Sequence, residues 1–195
     1  RYVLGGYVAV AFDGTGFYCS GKINCPHCLT KNHRNGKVSY YHQALGAVAV
    51  SPKEKTVFPI AAEAIIQQDG NTKNDCEINA SKRMIPQVRQ NLGAKEKVIG
   101  LFDALYCNGP LIKTLQAEEM SYIIGTKGKT YVDIQVKALL RENKLKKITW
   151  RVGRIGKTQR YDVKYANRLI LNGSHQNILV NYFDVKVTDE KTGEQ

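Results

Sequence analysis

Two short apolar runs in this chain each end in an aspartate, and their order fixes most of what the chain can become. Tyr7-Val-Ala-Val-Ala-Phe12 leads into Asp13-Gly14, and Lys97-Val-Ile-Gly-Leu-Phe102 leads into Asp103. Runs this short, rich in β-branched and aromatic residues and bounded by turn formers, read as buried strands. Between them, Val38 to Val50 reads as a long strand closed by Ser51-Pro52. Lys53 to Thr56 reads as a turn, and Val57-Phe-Pro-Ile60 as the start of the next strand. These make a three-stranded antiparallel meander, with a polar, Cys/His-rich excursion at 17–37. Ala61 to Asp69 is short and either helical or extended. Asp75 to Leu92 is a helix on the spacing of Ile78, Met84, Ile85, Val88 and Leu92. Asn74 is its expected N-cap and Gly93 its stop, and Pro86 is expected to kink it.

Pro110 opens a second helix that runs to about Glu118. Ser121-Tyr-Ile-Ile-Gly125 is a further short strand. Strands separated by helices are expected to run parallel to the first. The expected class is therefore α/β, with a mixed sheet of three antiparallel strands followed by parallel strands with helices. Beyond Thr126 the texture changes. Tyr131 to Asn143 reads as a helix, and Lys147–Val152, Gln159–Ala166 and Leu179–Val187 as basic strands. The expected division is a core at 1–126 and a basic, β-rich insertion at 127–195. The chain opens on Arg1 and stops in the polar run Thr188 to Gln195, which reads as a hairpin turn without its return strand. A fragment trimmed at both ends is expected.

The carboxyl ends of parallel strands lie on one edge of a sheet. If the two apolar strands are neighbours, Asp13 and Asp103 come close together there. Paired carboxylates repel, and a divalent cation relieves the repulsion; carboxylate oxygens suit magnesium or manganese. Two such ions can activate water and stabilise the leaving oxygen of a phosphodiester. The plainer reading of each aspartate alone is a turn residue or a helix cap. Asp75 and Glu77 read as ordinary first-turn helix acids, with a role toward metal or DNA as the alternative.

The excursion holds Cys25-Pro-His-Cys28, a spacing that lets two thiolates reach one tetrahedral ion. Cys19, Cys25, Cys28 and His33 are the expected set for a structural Zn2+, with His27 and His42 as further candidates and a metal-free polar loop as the alternative. Cys76 and Cys107 are isolated and expected to be buried, small apolar residues. With an odd count of five and no secretory signal, disulfides are not expected.

The net charge is +12. Residues 127–195 carry 15 basic and 7 acidic side chains, the most basic stretch of the chain. Lys127, Lys129, Arg151, Arg154, Lys157 and Arg160, beside Trp150 and Tyr161, are the expected DNA contacts. A solvated basic sheet is the alternative. No apolar run is long enough for a membrane span, and a cytoplasmic protein is expected.

Asp13-Gly14-Thr15, Lys73-Asn-Asp-Cys-Glu77 with Lys82-Arg83, and Phe102-Asp-Ala-Leu-Tyr106 together resemble the DDE-type transposases of bacterial insertion sequences. The resemblance covers residues 7–126 well and 127–187 loosely. It implies a ribonuclease-H-like fold and magnesium-dependent DNA strand cleavage and strand transfer. It also implies transposon-end and target DNA as partners, and a homodimer. It matches Asp13 to the first catalytic aspartate and Asp103 to the second. The family's glutamate lies on a later helix, so Glu190 and Glu194 are not assigned to it, and the fragment alone is expected to be inactive. The alternatives are a zinc-stabilised nucleic-acid-binding module without catalysis, or another nuclease of the ribonuclease H fold.

Overall fold

The computed structural model describes residues 2–66, 76–128, 130–154 and 157–192, with the side chains of Arg154 and Lys157 outside that description. The chain divides into two compact units, Arg1–Gly125 and Thr126–Gln195.

The first unit is a seven-stranded mixed sheet with two helices. Its strands are β1 (Val3–Leu4), β2 (Tyr7–Ser20), β3 (Leu29–Asn32), β4 (Val38–Ala49), β5 (Phe58–Ile65), β6 (Val98–Phe102) and β7 (Ser121–Ile124). β2 is central. It pairs antiparallel with β4 on one side and parallel with β6 on the other, and β7 extends the parallel part. The far edge of β4 is shared, with β3 along Val38–Tyr41 and β5 along Gln43–Ala49. The expected meander is therefore present as β2, β4 and β5.

Alternation along β2 decides which face is buried. Val8, Val10 and Phe12 are buried, as are Ala49 and Ala47 opposite Val10 and Phe12 on β4, and Leu45 opposite Gly14. Helices α1 (Glu77–Leu92) and α2 (Gly109–Ala117) supply Met84, Ile85, Val88, Leu111 and Leu115 to the same core. Phe102 stacks on Phe12, ring centroids 4.5 Å apart. Gly100 makes room for that ring, because a Cβ there would come within 2.5 Å of Phe102 Cε2.

Several expectations change. Asp13-Gly14 does not end its strand: β2 continues to Ser20, because β4 pairs with it along that whole length. The Cys/His-rich excursion is partly strand, forming the end of β2 and all of β3. Of the two readings open for Ala61 to Asp69, Ala61–Ile65 takes the extended one, and 67–69 lie outside the described residues. Asn74 and Asp75 lie outside the described residues, and the N-cap position of α1 is Cys76, which makes no side-chain capping bond. Pro86 sits inside a single continuous helix. Cys76 is exposed and Cys107 half-buried rather than buried, and none of the five cysteines is bridged.

In the second unit, α3 (Tyr131–Arg141) packs on a three-stranded antiparallel sheet of β8 (Lys146–Arg154), β9 (Lys157–Asn172) and β10 (His175–Asp189). The strands extend beyond their expected bounds because each is paired along nearly all its length. Val132, Val136, Leu145, Ala166 and Leu169 form the core. The amide of Gln135 grips the β9 backbone, donating to Ile170 O at 2.7 Å and accepting from Ile170 N at 3.2 Å.

Thr130 and Asp133 form a reciprocal capping box at the start of α3. Burial opposes ionisation of Asp133, but the bonds from Thr130 and Thr126 and the charge of Lys137 outweigh it and hold the carboxyl below its usual range. A depressed folded value stabilises the fold above the unfolded pKa of about 3.9, and that contribution is lost as pH falls through the folded value. Asp133→Ala is expected to destabilise this unit by about 1–2 kcal/mol at neutral pH. Asp133→Asn should flatten its acid dependence below about pH 4. Trp150, the single tryptophan, reports unfolding of this unit. An Asn variant with an acid limb as steep as the parent's would remove Asp133 from this role.

Candidate active site and metal centre

The parallel pairing of β2 and β6 runs Val8 to Val98 through Ala11 to Leu101, a constant offset of ninety. Two residues further along the same register, Asp13 stands level with Asp103. Both are exposed. Asp103 caps the 3-10 turn Ala104–Tyr106, its Oδ1 accepting from Leu105 N at 2.7 Å. The helix-cap alternative for Asp103 is thus real in this structure, and it engages one carboxylate oxygen. Asp13 is not a turn residue.

A third carboxylate reaches the same place. Glu77, the first residue of α1, is half-buried and lies across Gly14, so a Cβ at Gly14 would collide with its carboxylate. Tyr106 donates its hydroxyl to Glu77 Oε2 at 3.2 Å. Burial pushes the Tyr106 phenol well above its usual range. The charge of Glu77 and its hydrogen bond add to this, followed by the charges of Asp103 and Asp13. Tyr106 therefore stays protonated at any physiological pH and remains a donor. Its phenol lies within electrostatic reach of Glu77, Asp103 and Asp13, although the three carboxylates do not form a group with ligand atoms within 4.8 Å of one another among the described residues. As a first-turn acid Glu77 has a sufficient local explanation in the helix dipole, and no local pattern marks Tyr106 as its partner. The signal available was Gly14 on the core-facing phase of β2, where a missing side chain leaves a space for something to fill.

The Cys/His-rich region brings together Cys25, Cys28 and His42, with all three ligand atoms within 4.8 Å of one another. His42 Nε2 lies 3.3 Å from Cys25 Sγ and 3.4 Å from Cys28 Sγ, and the sulfurs are 3.6 Å apart. Cys25 N–H donates to Cys28 Sγ at 3.3 Å. Burial pushes the Cys28 thiol up in the absence of an ion, and Cys25 beside it acts in both directions. Two of the four expected ligands are in this group and two are not. Tyr18 pairs with His42 and Cys19 with Tyr41, so alternation sends Cys19 to the opposite face of the sheet. There it lines a groove with His33 and Lys31. His33 Nε2 is 2.8 Å from Ser39 Oγ. Leu29 also pairs with Tyr41, which brings Cys28 level with His42. His27 is exposed and outside the group.

In the second unit, β8, β9 and β10 form a two-faced sheet. Lys147, Arg151, Arg160, Lys164 and Lys186 share one face with Asp162 and Asp184. The other carries Ile148, Trp150, Tyr161, Val163 and Val185, with Trp150 stacked on Tyr161. Arg151 pairs with Glu190 at 2.8 Å and Arg160 with Asp162 at 2.7 Å. The Thr149 hydroxyl, followed by Arg160, holds the Asp162 carboxyl below its usual range. Arg151 and Arg160 thus have acidic partners within the unit. Arg154 and Lys157 are paired in register at the ends of β8 and β9. Lys127 lies in an exposed segment before α3, and Lys129 is outside the described residues.

No helix among the described residues is long and apolar enough to cross a membrane. No protein-family model and no curated protein matches the sequence. Among solved structures, the chain is similar to a piggyBac transposase in a synaptic complex with hairpin DNA, seen by cryo-EM. The alignment has 13% identity and a TM-score of 0.42, covering 79% of this chain. It takes in 30% of that transposase chain.

Proposed function

We propose that the Asp13–Asp103 edge is the metal site of a DNA strand-cleaving and strand-transferring enzyme of the DDE class, on a ribonuclease-H-like sheet. The observation that carries this reading is the β2–β6 register, which sets the two aspartates level at the end of the parallel pairing. Exposed carboxylates at the end of parallel pairing are open to a large polyanionic substrate. Their hard oxygen donors fit magnesium or manganese. Asp13 and Asp103 are the proposed ligands, with Glu77 a third carboxylate beside them. When bound there, two such ions would supply activation of the attacking oxygen and stabilisation of the leaving one. Tyr106, kept protonated, orients Glu77 by its hydrogen bond, and Gly14 leaves the space that Glu77 fills. The charged face of the second unit is the proposed contact with DNA phosphates; the transposon ends, the target DNA and a dimeric assembly belong to the same proposal.

Manganese binding followed by water-proton relaxation tests the site on this chain. Asp13→Asn and Asp103→Asn are each expected to abolish it, and Glu77→Gln to weaken it. In a protein that also carries the family's later glutamate, the aspartate variants should lose strand cleavage and keep DNA binding. Unimpaired manganese binding by both Asn variants would overturn the assignment.

DNA affinity should fall linearly on a log–log plot against salt, with a slope of roughly −0.9 per phosphate neutralised. Lys164→Ala is expected to reduce the slope by about 1. A flat salt response would remove DNA as the partner of this face.

A further inference from the structure

We propose that Cys25, Cys28 and His42 form a zinc site with three protein ligands and a water in the fourth position, which clamps the excursion after β2 onto β4. The three donor atoms lie within a few tenths of an ångström of the spacing a zinc ion would impose. Tetrahedral zinc, with Zn–S of about 2.3 Å and Zn–N of about 2.0–2.1 Å, sets two sulfurs about 3.8 Å apart and sulfur and nitrogen about 3.6 Å apart. The observed edges are 3.6 Å between sulfurs and 3.3 and 3.4 Å from sulfur to nitrogen. Two thiolates and an imidazole are soft and borderline donors, which select zinc over magnesium or calcium. Two thiolates also neutralise the ion's charge, so the half-enclosed site carries no net charge.

The surroundings hold the donors in place. Phe17 stacks on the His42 ring with an interplanar angle of 11°, and Tyr18 flanks it at 5.6 Å between centroids. The Tyr18 hydroxyl donates to Ile23 O at 2.8 Å, and Ser20 Oγ accepts from the backbone of Lys22 and Ile23. The chain is thereby turned back toward β4 just before Cys25. The Cys25 N–H donates to Cys28 Sγ at 3.3 Å, which fixes the two cysteines relative to each other. Residues 21–27 are all exposed, so no core of their own holds them. Among the described residues no fourth Cys, His, Asp or Glu joins the three. The remaining tetrahedral position is therefore assigned to water.

Elemental analysis of the full chain, purified without chelator, is expected to give close to one zinc per chain. Replacing zinc by cobalt should produce the intense visible bands of tetrahedral Co(II)–thiolate coordination. Cys25→Ser, Cys28→Ser and His42→Ala should each weaken zinc binding in a chelator competition by at least the roughly 10–100-fold that loss of an outer-shell partner costs. Cys19→Ser and His33→Ala should leave it unchanged. Limited proteolysis should cut within residues 21–28 faster once the metal is chelated. Metal-free protein with no cobalt bands on reconstitution would overturn the proposal, and so would loss of metal in Cys19→Ser or His33→Ala. The cobalt spectrum is read on the unaltered chain, so a variant that fails to fold does not blur the outcome. Intact manganese binding at Asp13 and Asp103 in His42→Ala would separate this site from the carboxylate one.

Discussion

The pairing of β2 with β6 is the contact on which the first unit depends. It is the point where the antiparallel part of the sheet turns into the parallel part. It is also buried, with Val10 and Val98 essentially inaccessible and Phe12 stacked on Phe102. The register is specified by packing rather than by a turn. A slip of one residue would drive Val8, Val10 and Phe12 off the core face and Asp13 onto it. The same constraint that buries Phe12 thus keeps Asp13 exposed, level with Asp103. Gly100 belongs to this constraint as well, since only the absence of a side chain lets the Phe102 ring lie where it meets Phe12.

Much of this fold can be read from the chain. The central strands, the meander, the helices and the mixed α/β class follow from apolar periodicity and punctuation, because each of those segments has one buried face. What was not legible came from pairing between distant segments. Asp13-Gly14 has the local signature of a turn, but β4 offers it a continuous partner and it stays extended. β3 has four residues and only one buried side chain, Leu29, so no periodicity could mark it. His42 lies inside a strand of almost uniform half-burial. Its approach to Cys28 depends on the β3–β4 register, which spacing along the chain does not contain. The Cys-x2-Cys pair was visible because it is local, and its third partner was hidden because it is not.

Glu77 shows the same limit from another side. An acid in the first turn of a helix has a sufficient local explanation in the helix dipole, worth about 0.3–1 kcal/mol. Nothing local distinguishes it from an acid that also meets side chains of the sheet. The distinction comes from Gly14 and Tyr106, far from it in sequence and each meaningless alone. A glycine on the buried phase of a strand, a buried tyrosine that must find an acceptor and a helix-opening acid satisfy one another only when the fold brings them together.

The chemistry of the donors keeps the carboxylate cluster and the thiolate cluster distinct. Each has one member on the β2–β4 pair, Asp13 on β2 and His42 on β4. Asp13 and Tyr18 are five residues apart along β2, a separation of about 16 Å at the strand rise. That distance exceeds the Debye length of about 8–10 Å in ordinary salt, so the charge of the carboxylates is largely screened at the thiolates. The donors differ in kind as well. Hard carboxylate oxygens take the weakly binding, hydrated ions suited to phosphoryl chemistry, while thiolates and imidazole hold zinc tightly. Neighbouring strands could then carry the two proposed ions, one beside His42 on β4 and the other beside Asp13 on β2, without competition between them. A static ion at Cys25, Cys28 and His42 would also pin the far ends of β2 and β4 where the sheet has least core beneath it. Beyond Phe12, β2 is held by its pairing with β4 through Ser20, and such an ion would add coordination to that pairing.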